Sequence, residues 1–154
     1  MKITILSIGK MKEPYSSLSL VYEKRIKQKN NLLIKELVPK KKLKDGQQRD
    51  EENTLLLNEI NKLSGSSYLI ALDKDGVFLT SEKFAKSFES WANQSKELVF
   101  LIGGSMGLSQ EVLQKTQMKL SFSKMTFPHM LFRVMLLEQT YRAQSILNNE
   151  PYHK

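Results

Sequence analysis

One pattern constrains the fold of this chain more than any other: short apolar runs alternate with longer segments of helical period from end to end. Lys2 to Ile8 is an Ile-rich run closed by Gly9. From Pro14 to Lys29, Leu18, Val21, Tyr22 and Ile26 recur at helical spacing, and Pro14 suits a first turn. Leu32 to Val38 reads as a strand stopped by Pro39. A polar loop, Lys40 to Gln48, then leads to a helix from Asp50 to Leu63. Asp50, Glu51 and Glu52 would complement the dipole at its start. Tyr68 to Leu72 is a strand, and Asp73-Lys-Asp-Gly76 a turn. Ser81 caps a helix to about Gln94, Glu97 to Ile102 is a strand, and Ser109 caps a short helix. Met118 to Ser123 alternates as a strand, and Pro128 opens a long helix to about Asn148.

Such alternation predicts an α/β fold with a mostly parallel central sheet flanked by helices. The 154 residues suit one domain, residues 1–154, with no repeat or linker. Ligands in such folds lie at the carboxyl ends of the strands. Three loops fall there: Leu72 to Gly76, Gly103 to Leu108, and Phe122 to His129.

Composition removes several classes of chemistry. There is no Cys, which excludes disulfides, thiolate metal sites and a thiol nucleophile. Two His residues without ligand spacing offer no metal site. No run approaches the roughly 20 apolar residues of a membrane span, and the N-terminal run does not read as an export signal. The expected location is therefore the cytoplasm, with no membrane partner.

The net charge is +8 and it is unevenly placed. Residues 1 to 44 hold 12 Lys and Arg against 3 acidic residues; the remainder holds 12 against 13. Such a basic piece, with Lys40, Lys41, Lys42 and Lys44 together, reads either as a solubility surface or as an electrostatic footprint for nucleic acid.

The chemistry-bearing residues cluster in the C-terminal half. Gly103, Gly104 and Gly107 at a strand end let a ligand approach the backbone, but the run lacks the full dinucleotide fingerprint and the P-loop Lys. Phe122-Ser-Lys-Met-Thr-Phe-Pro-His129 combines hydroxyls with an apolar wall. Glu138 and Arg142 share a helix face four residues apart, and the tail carries Tyr152 and His153.

Taken together, Ala71-Leu-Asp-Lys-Asp-Gly76, Phe100-Leu-Ile-Gly-Gly-Ser-Met-Gly-Leu108, Leu120 to His129, Arg133, Glu138-Gln-Thr-Tyr-Arg-Ala143 and Pro151-Tyr-His-Lys154 resemble the RlmH family of small bacterial SPOUT-class ribosomal RNA methyltransferases. The resemblance runs from Lys2 to Lys154 and is most specific from Gly103 onward. It implies a SPOUT-type α/β trefoil knot, S-adenosylmethionine as cofactor, and a homodimer whose sites are completed by the partner chain. The implied substrate is a pseudouridine of 23S rRNA in the ribosome, methylated at N3.

Carried over by position, Leu72 would end a cofactor-contacting strand. Gly103 and Gly104 would let the backbone meet the adenosyl and methionine parts of the cofactor. Phe122, Ser123, Lys124, Met125, Thr126 and Phe127 would wrap the adenine. The family usually has Leu where this chain has Phe122. Arg142, Tyr152 and His153 would be the catalytic, RNA-side residues. The chemistry is compatible: N3 must lose a proton before it attacks the methyl group, a cation such as Arg142 would stabilise the enolate, and His153 or a water could take the proton. The competing readings are an adenosyl-sensing regulator and a basic RNA-binding module with a vestigial pocket.

Overall fold

A computed structural model describes Met1 to Lys154. The elements are β1 (Lys2–Ile8), α1 (Tyr15–Lys27), β2 (Asn31–Leu37), α2 (Asp45–Ile60), β3 (Ser67–Phe78), α3 (Ser81–Gln94), β4 (Glu97–Ile102), α4 (Gln110–Gln114), β5 (Met118–Ser121) and α5 (His129–Leu147). The five strands form one sheet in the order β2-β1-β4-β3-β5, and every pairing is parallel.

Alternate residues of the central strands feed two cores, one on each face. Ile3, Ile5, Leu98, Phe100, Ile102 and Ile70 pack with Phe84, Phe88 and Trp91 of α3, Ile26 of α1 and Leu136 and Leu137 of α5. Leu6, Ile8, Val99, Leu101, Leu69 and Ala71 pack with Leu56 and Ile60 of α2 and Val112 of α4. Burial on both faces is why all of β4 is buried and reads as a near-continuous apolar run. Thr4 and Glu97 are polar exceptions within the inner strands; their side chains hydrogen-bond each other at 2.5 Å, and Lys2 adds an ion pair at 3.1 Å.

Three local expectations need correction. Helix α2 begins at Asp45, so the basic loop is shorter than expected and Asp45 alone is acidic in the first turn. Asp50, Glu51 and Glu52 lie further along. Glu52 is buried and faces the protein, so its role is not to neutralise the helix dipole. Asp73 to Gly76 is not a turn that ends a strand: β3 runs on to Phe78, and the segment is a bulge between the pairs Leu72↔Leu120 and Val77↔Leu120. Thr80, rather than Ser81, caps α3, its hydroxyl accepting from the Lys83 amide at 3.2 Å. The Ser109 cap of α4 is present, accepting from the Val112 amide.

The parallel arrangement sends every strand's carboxyl end to one edge of the sheet. There the β3 bulge, the loop after β4 and the loop after β5 stand side by side.

Candidate active site

The three loops enclose an open cavity of about 660 Å³. Gly104 to Leu108 form one wall, Asp73 to Asp75 another, and Phe122, Ser123, Met125, Thr126 and Phe127 a third, with His129 and Phe132 of α5 at the base. The volume and mixed lining suit a ligand of nucleoside size.

Local chemistry explains how the walls hold their shape. The Ser121 hydroxyl lies within bonding distance of the carbonyls of Lys74 (3.2 Å) and Ser123 (3.1 Å), tying the bulge to the loop after β5. The Ser123 hydroxyl accepts from the Met125 amide at 3.0 Å. Phe122 packs on Phe132 with ring centres 5.1 Å apart, which pins the loop to α5. His129 lies against Gly9: a Cβ at Gly9 would come within 2.9 Å of the ring Nε2, and Gly9 has φ +87°.

The wall at Gly104 is set from behind by α2, a contribution that the sequence pattern did not reveal. The Arg49 guanidinium donates to the Leu108 carbonyl at 3.2 Å. Asn53 Oδ1 accepts from the Ser109 amide at 2.7 Å. Glu52 packs against Gly104 so closely that a Cβ there would lie 2.8 Å from the carboxyl carbon. Positions 49, 52 and 53 form one polar helix stripe beside buried Leu56 and Ile60. Polar residues at helical spacing in line with that apolar face were the signal available in the sequence.

Of the nine residues expected to hold the cofactor, Gly104, Phe122, Ser123, Met125, Thr126 and Phe127 line this cavity. Leu72 is buried in the core at the last pair before the bulge. Gly103 sits behind the wall, where a Cβ would meet the Gly107 carbonyl carbon at 2.9 Å. Lys124 is exposed outside the lining.

Arg142, Tyr152 and His153 come together in a second cluster at the other end of α5. Arg142 Nε donates to Glu138 Oε1 at 3.0 Å, and the Tyr152 hydroxyl donates to the same oxygen at 3.0 Å. The guanidinium carbon stands 4.9 Å from the Tyr152 ring centre. Arg142 Nη1 lies 3.2 Å from His153 Nδ1, and His153 Nε2 lies 2.9 Å from Glu82 Oε1. A guanidinium only donates, so Nδ1 is the acceptor and the Nε2 proton is given to Glu82. Lys29 pairs with Glu150 and fastens the start of the tail.

The surroundings shift three groups at this cluster. Burial, with its hydrogen bonds to Tyr22 and to the accepting Glu138 carboxylate, pushes the Tyr152 phenol above its ordinary value, so it stays protonated. Glu138 raises Arg142 further, keeping it cationic. Glu82 is lowered to about 2 by its own backbone amide, the Thr80 hydroxyl and His153.

The two clusters are far apart within one chain. His129 at the cavity and Arg142 are 13 residues apart on α5, a separation of about 20 Å at 1.5 Å per residue. Arg133, also quoted for the family, lies between them: buried, it pairs with Glu36 and ties α5 to β2.

A strand-edge cavity of this kind on an all-parallel sheet defines an α/β ligand-binding fold, with the Arg142, Tyr152 and His153 cluster standing apart from the cavity. The sequence profile described as "Predicted SPOUT methyltransferase" matches residues 1–153. A putative methyltransferase of Legionella pneumophila, solved in complex with its bound cofactor S-adenosylmethionine, shares the fold. Its TM-score is 0.52 at 11% identity, over 93% of this chain and 66% of that one. The ribosomal RNA large subunit methyltransferase H 1 of Clostridium perfringens (strain SM101) is 46% identical over 160 residues, covering both chains in full. The methyltransferase H of Clostridium botulinum (strain Hall) matches at the same identity and coverage. The chain belongs to the SPOUT methyltransferase family, and within it to the ribosomal RNA large subunit methyltransferase H group.

Proposed function

We propose that the chain is an S-adenosylmethionine-dependent methyltransferase that methylates N3 of a pseudouridine in 23S rRNA of the ribosome. One observation carries this reading: the bulge of β3 and the loops after β4 and β5 close one nucleoside-sized cavity in a chain whose full-length relatives are named rRNA methyltransferases. The cofactor, when bound, supplies a methyl group on a positively charged sulfur. Gly104 and Gly107 offer backbone without side chains on one side, and Phe122 to Phe127 give an apolar and hydroxyl-bearing wall on the other. Leu72 and Gly103 support these walls from beneath, and Lys124 stands at the outer rim.

Arg142, Tyr152 and His153 serve the RNA side. Arg142 is cationic, and in this reading it offsets negative charge on the uracil carbonyls once N3 loses its proton. Tyr152 stays protonated, and by donating to Glu138 beneath the Arg142 guanidinium it positions Arg142. Both ring nitrogens of His153 are engaged, so His153 orients the tail and a water takes the proton.

The separation of about 20 Å between cavity and tail cluster supports a homodimer in which each tail completes the partner's site. The half-exposed Leu18, Leu20 and Val21 of α1, on the layer shared with α5, give an apolar face for that contact. Residues 1–154 act as a single SPOUT domain, with the trefoil knot of the family around the cavity. The exposed Lys40, Lys41, Lys42 and Lys44 provide the rRNA footprint. No helix is long and apolar enough to cross a membrane. An enzyme of ribosomes works in the cytoplasm, where they are.

The test is methyl transfer to ribosomes from a strain lacking the gene, read by mass spectrometry of the rRNA. A new N3-methylpseudouridine that appears only with protein and cofactor is the expected result. Cofactor binding without any transfer favours the regulator reading. Absence of cofactor binding at high micromolar concentration favours the RNA-binding module and overturns the proposal.

A further inference from the structure

Glu52 stands out among the buried polar groups. It is 7% exposed, and its two carboxylate oxygens are treated differently. Oε1 accepts from Gln48 Nε2 at 2.9 Å, whereas Oε2 is fully buried and has no hydrogen-bond donor. A buried carboxylate oxygen without a donor is costly, so its persistence calls for a use. The carboxyl group lies directly behind Gly104, which lines the cavity and has no side chain to separate the two.

We propose that Glu52 is a specificity-determining residue: its carboxylate, one backbone thickness behind the cavity wall, makes the glycine loop favour a cationic adenosyl ligand over a neutral or anionic one. The inference rests on the reading that this cavity takes S-adenosylmethionine. Charge that is buried acts through low-dielectric protein and is poorly screened by water or salt. The other charged groups at the cavity are Lys74 and Lys119, Asp73 and Asp75, and Arg49. The two Lys and two Asp balance in sign. Arg49, three residues before Glu52 on α2, also lines the cavity and keeps its positive charge while donating to the Leu108 carbonyl, so Glu52 offsets it and removal of the Glu52 charge leaves a lone cation at the glycine loop.

Glycine loops at strand ends often hold phosphates through their amides. A carboxylate behind the loop opposes a phosphate there and attracts a sulfonium. The same field acts on turnover. Transfer of the methyl group leaves a neutral thioether, so the attraction disappears from the product and the spent cofactor departs more easily.

The test is calorimetric binding of S-adenosylmethionine and of S-adenosylhomocysteine to the full chain and to Glu52→Gln, with thermal melts to check folding. The variant should lose about tenfold in affinity for the sulfonium ligand and less than about twofold for the thioether. Equal losses for both ligands would mean that Glu52 only props the loop, and would overturn the inference; so would no change in either. Failure of the wild-type chain to bind either ligand would instead refute the functional reading. If Glu52→Gln does not fold, the wild-type chain still carries the test. The ligand analogue with an amine nitrogen in place of sulfur should bind more tightly protonated than neutral, and equal binding of the two forms overturns the inference.

Discussion

Gly76 is the position where a single methyl group should do measurable damage, and the structure sets the scale. A Cβ built there would lie 2.7 Å from three backbone atoms of β5: the carbonyl carbon of Leu120 and the carbonyl carbon and oxygen of Lys119. Ordinary contact begins at 3.4 Å, so β3 and β5 must part by about 0.7 Å, and no side chain can turn away to avoid it. Overpacking of this kind costs about 2 kcal/mol, which for a chain of this size lowers Tm by about 4–8 °C. The cavity should feel the same shift, because Ser121 at the end of β5 links to the Lys74 carbonyl within the bulge. Calorimetric melting of Gly76→Ala beside Gly46→Ala is the assay. Gly46 lies in the first turn of α2 with nothing within 4 Å of its Cβ position, so its replacement should stabilise by about 0.5–1 kcal/mol. If Gly76→Ala melts with the wild type, or the two variants move together, β5 does not press on the bulge as described.

Further expectations follow from the other end of α5 and from the basic loop. Truncation after Glu150 removes Tyr152 and His153 while leaving the cavity lining whole, so cofactor affinity by calorimetry should stay within about twofold while methyl transfer is abolished; transfer at the normal rate would refute the tail's role. Glu82 is depressed to about 2, so its contribution to tail docking is complete above the ordinary carboxylate range and is lost as pH falls from about 4.5 toward 2; His153 resonances followed by NMR should shift in that window, and in Glu82→Gln that step should be absent. Charge reversal at Lys40, Lys41 and Lys42 should weaken rRNA binding and shrink its log–log salt slope by about 0.7–0.9 for each phosphate no longer neutralised; an unchanged slope would make the loop a solubility surface.

Most of the fold was legible because strand–helix alternation is written in residue periods. β1 and β4 have the bounds the sequence predicts, since a two-faced core demands uninterrupted apolar runs such as Leu98 to Ile102. The misses share a cause. Asp73 to Gly76 has turn chemistry, yet the neighbouring β5 backbone continues the pairing past it, and only that neighbour makes the segment a bulge. Gln48 reads as the end of a polar loop because its polarity is unremarkable locally; the partial burial of Gln48 and Arg49 beside the Gly104 loop is a tertiary fact.

What the sequence by itself determined was the inventory: a parallel α/β sheet, glycine and hydroxyl loops at strand ends, a basic first third, and an Arg-Tyr-His set near the C-terminus. These follow from local period and residue type. The tertiary structure decided what stands next to what. It set Glu52 behind Gly104, engaged both nitrogens of His153 between Arg142 and Glu82, and held the cavity and the tail cluster at opposite ends of α5. Such distances depend on how helices cross a sheet, and burial turns an ordinary surface carboxylate into one whose charge the cavity can feel.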